Sequence, residues 1–208
     1  MSSVVILKHP LIEHKMAKIR DKNTGTKEFR ESVNEVSGLI TYEITRDFQT
    51  VPKAIETPIT HMEASVLKKQ VVIVPILRAG LGMVEGIHNI IPTAKIGHIG
   101  LYRDESSLQP NVYYAKFPDI ITDSVVLVLD PMLATGGSAS KAIEIIKQAG
   151  AKDIRYVGIV GAPEGVARLQ EDHPDVTIYL AALDSHLNEH GYIVPGLGDC
   201  GDRLFGTK

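Results

Sequence analysis

Apolar positions along the chain change period several times, and the changes outline an alternation of helices and strands. Phe29, Val33, Val36, Ile40 and Ile44 recur at intervals of three and four, which predicts an amphipathic helix over 27–47. Pro52 and Pro58 interrupt the next stretch, so 53–63 is expected to form short extended pieces. Residues 71–74 are an apolar, β-branched run; a helix is expected over 81–91, and 95–101 alternates as a strand does. Residues 103–118 are polar around Tyr113 and Tyr114 and read as a long loop or hairpin, expected to be mobile because few apolar side chains anchor it. Residues 125–129 are the most uniformly apolar strand. Over 138–149 the period is helical, with Ala142, Ile145, Ile146 and Ala149 expected inward and Gly150 as the stop. Two more strands, 155–160 and 176–183, flank a helix over 163–172 with proline in its first turn. Residues 1–25 are polar and mixed in charge, and 184–208 show little periodicity.

Strands that are apolar throughout and separated by helices predict an α/β fold whose parallel sheet is covered on both faces. Such sheets bind ligands at the carboxyl ends of their strands. No repeat or low-complexity linker divides the 208 residues, so one domain over 1–208 is expected, with a small irregular subdomain from the two ends. The 22 basic and 25 acidic residues leave a formal charge of −3, which argues against a nucleic-acid partner. Cys200 is the single cysteine, so no internal disulfide and no multi-cysteine zinc site is expected. The apolar run near the start is too short for a signal sequence, and runs such as 71–77 are too short to span a bilayer. A cytoplasmic location without a membrane partner is the expectation. The 18 glycines pose a sharper question: they either fill turns or lie where backbone must approach a ligand.

The richest stretch begins with the strand at 125–129, which delivers Asp130 to the carboxyl edge of the sheet. Pro131, Met132, Leu133, Ala134, Thr135, Gly136, Gly137 and Ser138 then lead into a helix. The glycines let N–H groups turn toward an anion, the helix start adds unpaired donors, and Thr135 and Ser138 add hydroxyls. A phosphomonoester fits there. Asp130 cannot share that role, because like charges repel; it suits ribose hydroxyls or a metal reached through water. The plainer alternative makes Gly136-Gly137 a tight turn and Ser138 a simple helix cap. No Gly-Lys-Ser/Thr is present, so this is not a Walker loop. Arg78, in Pro75-Ile76-Leu77-Arg78-Ala79-Gly80, also follows a strand. Its guanidinium can fork onto phosphate oxygens, although a surface ion pair is the commoner fate of any one arginine.

Two motif matches mislead. Gly196-Leu197-Gly198-Asp199-Cys200-Gly201 fits the dinucleotide pattern, but no helix of useful length is expected after it. His186-Leu187-Asn188-Glu189-His190 fits an inverted zinc-protease motif, which needs a helix that Gly191 and Pro195 discourage. These histidines are expected to be loop residues, and Cys200, with no evident partner, a small packed thiol.

Together the motifs resemble the type I phosphoribosyltransferases and, within them, the uracil phosphoribosyltransferase family. The resemblance rests on Asp130-Pro131 where many members have two acids, on Pro75 to Gly80, on Ala162-Pro163-Glu164-Gly165, and on the run from His186 to Asp202. It covers nearly the whole chain. It implies a parallel-sheet α/β domain with a small hood, formed by 184–208 and part of the N-terminal region, and a mobile hairpin. It implies transfer of the phosphoribosyl group of 5-phosphoribosyl diphosphate (PRPP) to uracil, giving UMP and diphosphate, in pyrimidine salvage. Arg78, Arg103 and Asp130 are then catalytic, and they bind PRPP together with Pro131 to Ser138 and Asp199. Ile193, Gly198, Asp199 and Cys200 contact uracil, largely through main chain. Alanine is frequent in the family where this chain has Cys200, a change that a backbone contact tolerates. The resemblance further implies a cis peptide at the Arg78 loop, Mg²⁺ held mainly by PRPP and water near Asp199 rather than by protein ligands, GTP as an effector, and a dimer or larger homo-oligomer. No residue stands out as a general base. A phosphoribosyltransferase for another base, a nucleotide-sensing RNA-binding regulator, and a non-catalytic nucleotide-binding module are the alternatives; charge disfavours the second and the paired arginines the third.

Overall fold

The computed structural model describes residues 3–103 and 110–207, with Arg103 and Pro110 described in their backbone alone. In chain order the elements are β1 (Val4–Ile6), α1 (Pro10–Arg20), α2 (Thr26–Ile44), β2 (Thr50–Glu56), β3 (His61–Leu67), β4 (Val71–Leu77), α3 (Leu81–Ile90), β5 (Lys95–Ile96), β6 (His98–Arg103) and β7 (Pro110–Lys116). After a 3₁₀ turn (Asp119–Asp123) come β8 (Val125–Leu129), β9 (Met132–Leu133), α4 (Gly137–Gln148), β10 (Asp153–Gly161), α5 (Pro163–Asp172), β11 (Thr177–Leu183), β12 (His186–Leu187), β13 (Ile193–Val194) and α6 (Cys200–Phe205).

The central sheet runs β1-β11-β10-β8-β4-β6-β7, with β5 beside β4 and β9 beside β10. Its pairings are parallel except β6 with β7. The uniform apolarity of β8 follows from burial on two faces. Val125, Leu127 and Leu129 join the core under α1, α2 and α3, while Val126 and Val128 join the core under α4 and α5. The α2 stripe read from the sequence is fully buried in the first of these cores. In α4 the inward face is rotated slightly from expectation: Ala142, Ile143 and Ile146 are buried, and Ile145 and Ala149 are half-buried. Gly150 ends that helix region at φ +93°.

Two expectations are corrected and a third is extended. Residues 1–25 contain β1 and α1, whose Ile12, Met16 and Ile19 pack into the core and whose N-terminus is capped by the His9 ring accepting from the Leu11 N–H. The region 53–63 belongs to a continuous hairpin, β2 with β3, in register from Thr50↔Leu67 to Glu56↔His61. Pro52 is tolerated because each strand of a two-stranded ribbon is an edge, so a missing N–H need not break a ladder. The C-terminal region is also more ordered than its periodicity suggests, forming the β12–β13 hairpin and α6. The 103–118 region does form a β6–β7 hairpin, but its tip, residues 104–109, lies outside the described residues, so the mobility expected there does too.

Candidate active site

The carboxyl ends of the paired strands β4 and β8 lead into Arg78 and Asp130. Asp130 follows β8, and its backbone is pinned from β10. Its N–H donates to the Val157 carbonyl at 3.1 Å, and the buried Tyr156 hydroxyl donates to its carbonyl at 3.0 Å. The Asp130 side chain is half-buried. Burial pushes its carboxyl up to about 7, against an opposing hydrogen bond from the Met132 backbone.

The loop beyond Asp130 turns at Gly136, where φ is +77° and an added Cβ would lie 2.9 Å from the Gly165 carbonyl. Only glycine meets both conditions without strain. Gly136 is the residue that precedes α4, and no side chain caps that helix start. Ser138 lies exposed within the first turn, so the simple capping role considered for it is excluded. First-turn N–H groups lacking a side-chain cap, with two hydroxyls beside them, are suited to an anion. They border a cleft of about 210 Å³ lined by Asp130, Met132, Leu133, Ala134, Thr135, Gly136, Ser138, Ala139 and Gly191. A second cleft, of about 250 Å³, shares Met132, Ala134 and Gly191 and adds His190, Tyr192, Ile193, Leu197, Gly198 and Asp199. The expected phosphate and base segments, separated by 55 or more residues in sequence, thus line adjoining clefts. Pro131 and Gly137 flank the first cleft without lining it.

Arg78 follows β4, and the Leu77–Arg78 peptide is cis, as the resemblance implies. Its side chain is 58% exposed, and its guanidinium lies 3.6 Å from an Asp202 carboxylate oxygen and 5.8 Å from the Phe205 ring. The glycines beside it do not open space for ligand. A Cβ on Gly80 would strike the Leu129 carbonyl, and one on Gly82 would strike the Leu204 side chain. At both positions the missing side chain makes room for packing, against β8 backbone at Gly80 and against the Leu204 side chain of α6 at Gly82. Arg103 ends β6, the neighbour of β4; its side chain lies outside the described residues.

Asp199 is exposed and caps α6, accepting from the Asp202 N–H at 2.9 Å. Cys200 is buried, and desolvation, reinforced by the Asp130 and Asp199 charges, raises its thiol well above the ordinary range. It is a packed thiol, not a nucleophile. A disulfide reagent at pH 8 is expected to leave the native protein unlabelled and to label it once unfolded; rapid labelling of the native form would contradict this.

The motif Ala162 to Gly165 acquires a reason. A Cβ on Gly165 would lie 2.3 Å from the Ala134 carbonyl, so α5 packs directly on the loop between β8 and α4. The neighbouring Glu164 carboxylate accepts from the Leu187 N–H at 2.9 Å and holds the β12–β13 hairpin. The zinc-protease match falls on β12 and a turn in which the Asn188 side chain accepts from the His190 and Tyr192 N–H groups, not on a helix. The dinucleotide match runs into the six-residue α6, a helix that the sequence reading did not foresee, starting at Cys200 rather than after Gly201. Sequence reasoning also missed the supports: Tyr156, Arg20, Asp184, Arg30 and Arg203. Arg30 donates to the Leu204 carbonyl, and Arg203 donates to the Ile19, Leu197 and Asp21 carbonyls while stacking on Phe29. No motif marks such residues, since their partners are far away in sequence.

The family model for uracil phosphoribosyltransferase matches residues 5–207. The chain is 71% identical to the uracil phosphoribosyltransferase of Acholeplasma laidlawii and 59% identical to that of Lysinibacillus sphaericus, each over the whole of both chains. A solved protein structure from Aquifex aeolicus superposes with a TM-score of 0.94 at 37% identity, covering 99% of each chain. A hypoxanthine-guanine phosphoribosyltransferase from Bacillus anthracis superposes with a TM-score of 0.52 at 14% identity, covering 74% of this chain and 78% of that one, a likeness of fold alone.

Proposed function

Because the chain belongs to the uracil phosphoribosyltransferase family, we propose that its two joined clefts are the phosphate and base halves of one nucleotide site. The protein is an enzyme that transfers the phosphoribosyl group of PRPP to uracil, giving UMP and diphosphate, a step of pyrimidine salvage. The observation that carries the site assignment is the shared lining, Met132, Ala134 and Gly191, between an anion-type loop and a glycine-rich segment.

In the proposed mechanism the bond from ribose C1 to diphosphate breaks as the bond to uracil N1 forms, through a transition state with oxocarbenium character, and the N1 proton passes to water. The loop from Ala134 to Ser138 holds the 5′-phosphate. Asp130 orients the ribose hydroxyls and lowers the energy of positive charge on the ring. Arg78 and Arg103 neutralise the departing diphosphate, and catalysis rests on positioning and electrostatics. Main chain at Ile193, Gly198 and Cys200 reads the carbonyl and N–H edge of uracil. Cytosine is rejected because its donors and acceptors would leave buried groups unpaired.

The carboxylates of Asp130 and Asp199, the latter lining the base cleft, are hard oxygen donors that fit a Mg²⁺ reached through water. When bound with PRPP, Mg²⁺ supplies charge neutralisation on the diphosphate. GTP is proposed as an effector on the resemblance alone, with turnover compared with and without GTP as its test. A cytoplasmic location is part of the proposal, since PRPP and UMP carry charges that keep them in the compartment where they form. No helix among the described residues is long and apolar enough to cross a membrane.

A homo-oligomer is proposed on the β2–β3 ribbon. Val51 pairs with Val66 and Ile55 with Met62, and all four are 36–48% exposed on a projecting two-stranded element. Such a ribbon is marginal alone and is stabilised when its apolar side is covered. Sedimentation should return the mass of a dimer or larger; a monomer at all concentrations would overturn this part. For the reaction itself, purified protein with labelled uracil, PRPP and Mg²⁺ should yield labelled UMP, and a panel of other bases should react far more slowly. Absence of UMP would sink the proposed function.

A further inference from the structure

The base cleft is built from chain that would be loose on its own. Gly196 and Gly198 sit at φ +66° and +81° with Leu197 between them, and glycine has more conformational freedom to lose than any other residue. Side chains from outside the clefts remove that freedom. Asp184, just beyond β11, is nearly buried, and its Oδ2 accepts the Gly196 N–H at 2.8 Å. Arg20, the last residue of α1, donates to the carbonyl of the same glycine at 2.7 Å. Its guanidinium also grips Asp184 through two bonds, at 2.6 and 2.8 Å. One ion pair thus holds both main-chain groups of one glycine. Arg203 secures the next carbonyl, that of Leu197, at 2.7 Å. One residue further on, at Gly198, no group among the described residues bonds to the main chain, and this residue lines the cleft.

We infer that the Arg20–Asp184 pair is a specificity-positioning device that fixes the Gly196 peptide groups so that the main chain from Gly198 onward meets a planar 2,4-dicarbonyl pyrimidine in one donor–acceptor register. The inference rests on the uracil reading of this cleft. A nearly buried ion pair is weak evidence for net stability, because desolvation offsets much of its attraction. Its effect here is on where the ordering entropy falls. With the pair intact, the segment is ordered on folding and uracil meets a preformed edge. With the pair broken, uracil must order two glycine-flanked turns itself, and a loose edge can rearrange to accept a base with an amino group at position 4.

Two variants test this. Arg20→Lys keeps the charge but not the planar fork that reaches two partners. Asp184→Asn keeps the shape but turns one acceptor into a donor facing Arg20 or the Gly196 N–H. In each, KM for uracil is expected to rise about tenfold, while KM for PRPP and kcat stay within about twofold. The kcat/KM preference for uracil over cytosine should narrow in the same variants. Calorimetry gives a second readout without turnover: UMP should bind more weakly, and ribose 5-phosphate as in wild type. An unchanged uracil KM overturns the inference. So does a parallel rise in both KM values with weaker ribose 5-phosphate binding, which would mean that the pair braces the fold and nothing more. If Asp184→Asn does not fold, Arg20→Lys decides alone. Wild type runs in the same assay, so failure to convert uracil at all would indict the uracil reading rather than the clamp.

Discussion

Arg78→Ala is expected to lower kcat about 100- to 1,000-fold, the usual effect of removing one preorganised group that neutralises charge developing in a transition state. Diphosphate leaves with more negative charge than it carries in the ground state, so the loss should fall on kcat more than on KM for uracil. The same change should hardly touch folding. Arg78 is 58% exposed, and its ion pair with Asp202 spans 3.6 Å. Exposed pairs of this kind contribute only about 0–1 kcal/mol. Steady-state kinetics beside thermal melts would show a crippled enzyme with a nearly unchanged Tm. Inhibition by diphosphate should weaken, whereas ribose 5-phosphate binding should not. Wild-type turnover in this variant would remove Arg78 from the chemistry.

Asp130→Asn is expected to separate activity from stability in the opposite sense. Turnover should fall about 100-fold, because a neutral amide no longer favours positive charge on the ribose ring. Stability should rise at alkaline pH. Burial raises the Asp130 carboxyl from 3.8 to about 7 in the folded chain. The folded state therefore binds this proton more tightly than the unfolded state does. The resulting stability is fully present below the unfolded value and is lost as pH rises through about 7. Wild type should accordingly lose Tm between pH 5 and pH 8 relative to the asparagine variant, which has no titrating group at this position. In wild type, kcat/KM for PRPP should also decline as pH falls below about 7, since the proposed role needs the carboxylate. Parallel Tm profiles for the two proteins, or a variant as active as wild type, would refute the assignment.

Several elements were legible because their signals are local. The α2 stripe, from Phe29 to Ile44, and the uniform apolarity of β8 both report burial directly. Others were not. In α1 only Ile12, Met16 and Ile19 are buried among many charged positions, so its stripe is thin. The β2–β3 ribbon buries neither strand, which removes the alternation that marks a half-buried strand, and Pro52 points the wrong way. A turn at Gly136 is legible because glycine adopts positive φ without strain, and φ there is +77°. At Gly80 and Gly82 the need for a missing Cβ comes instead from Leu129 and Leu204, which lie far away in sequence.

By itself the sequence determined the alternating strands and helices of the central sheet, the glycine-rich loop after β8, and the motifs that identify the family, since each depends on neighbours within a few residues. The tertiary structure decided which distant groups meet. It set Arg20 against Asp184 across 164 positions, brought Arg78 to Asp202, and joined the 132–134 loop to the 190–199 segment around shared clefts. It also raised the Asp130 carboxyl. Desolvation and charge coupling depend on everything packed around a group, and that environment comes into being only when the chain has folded.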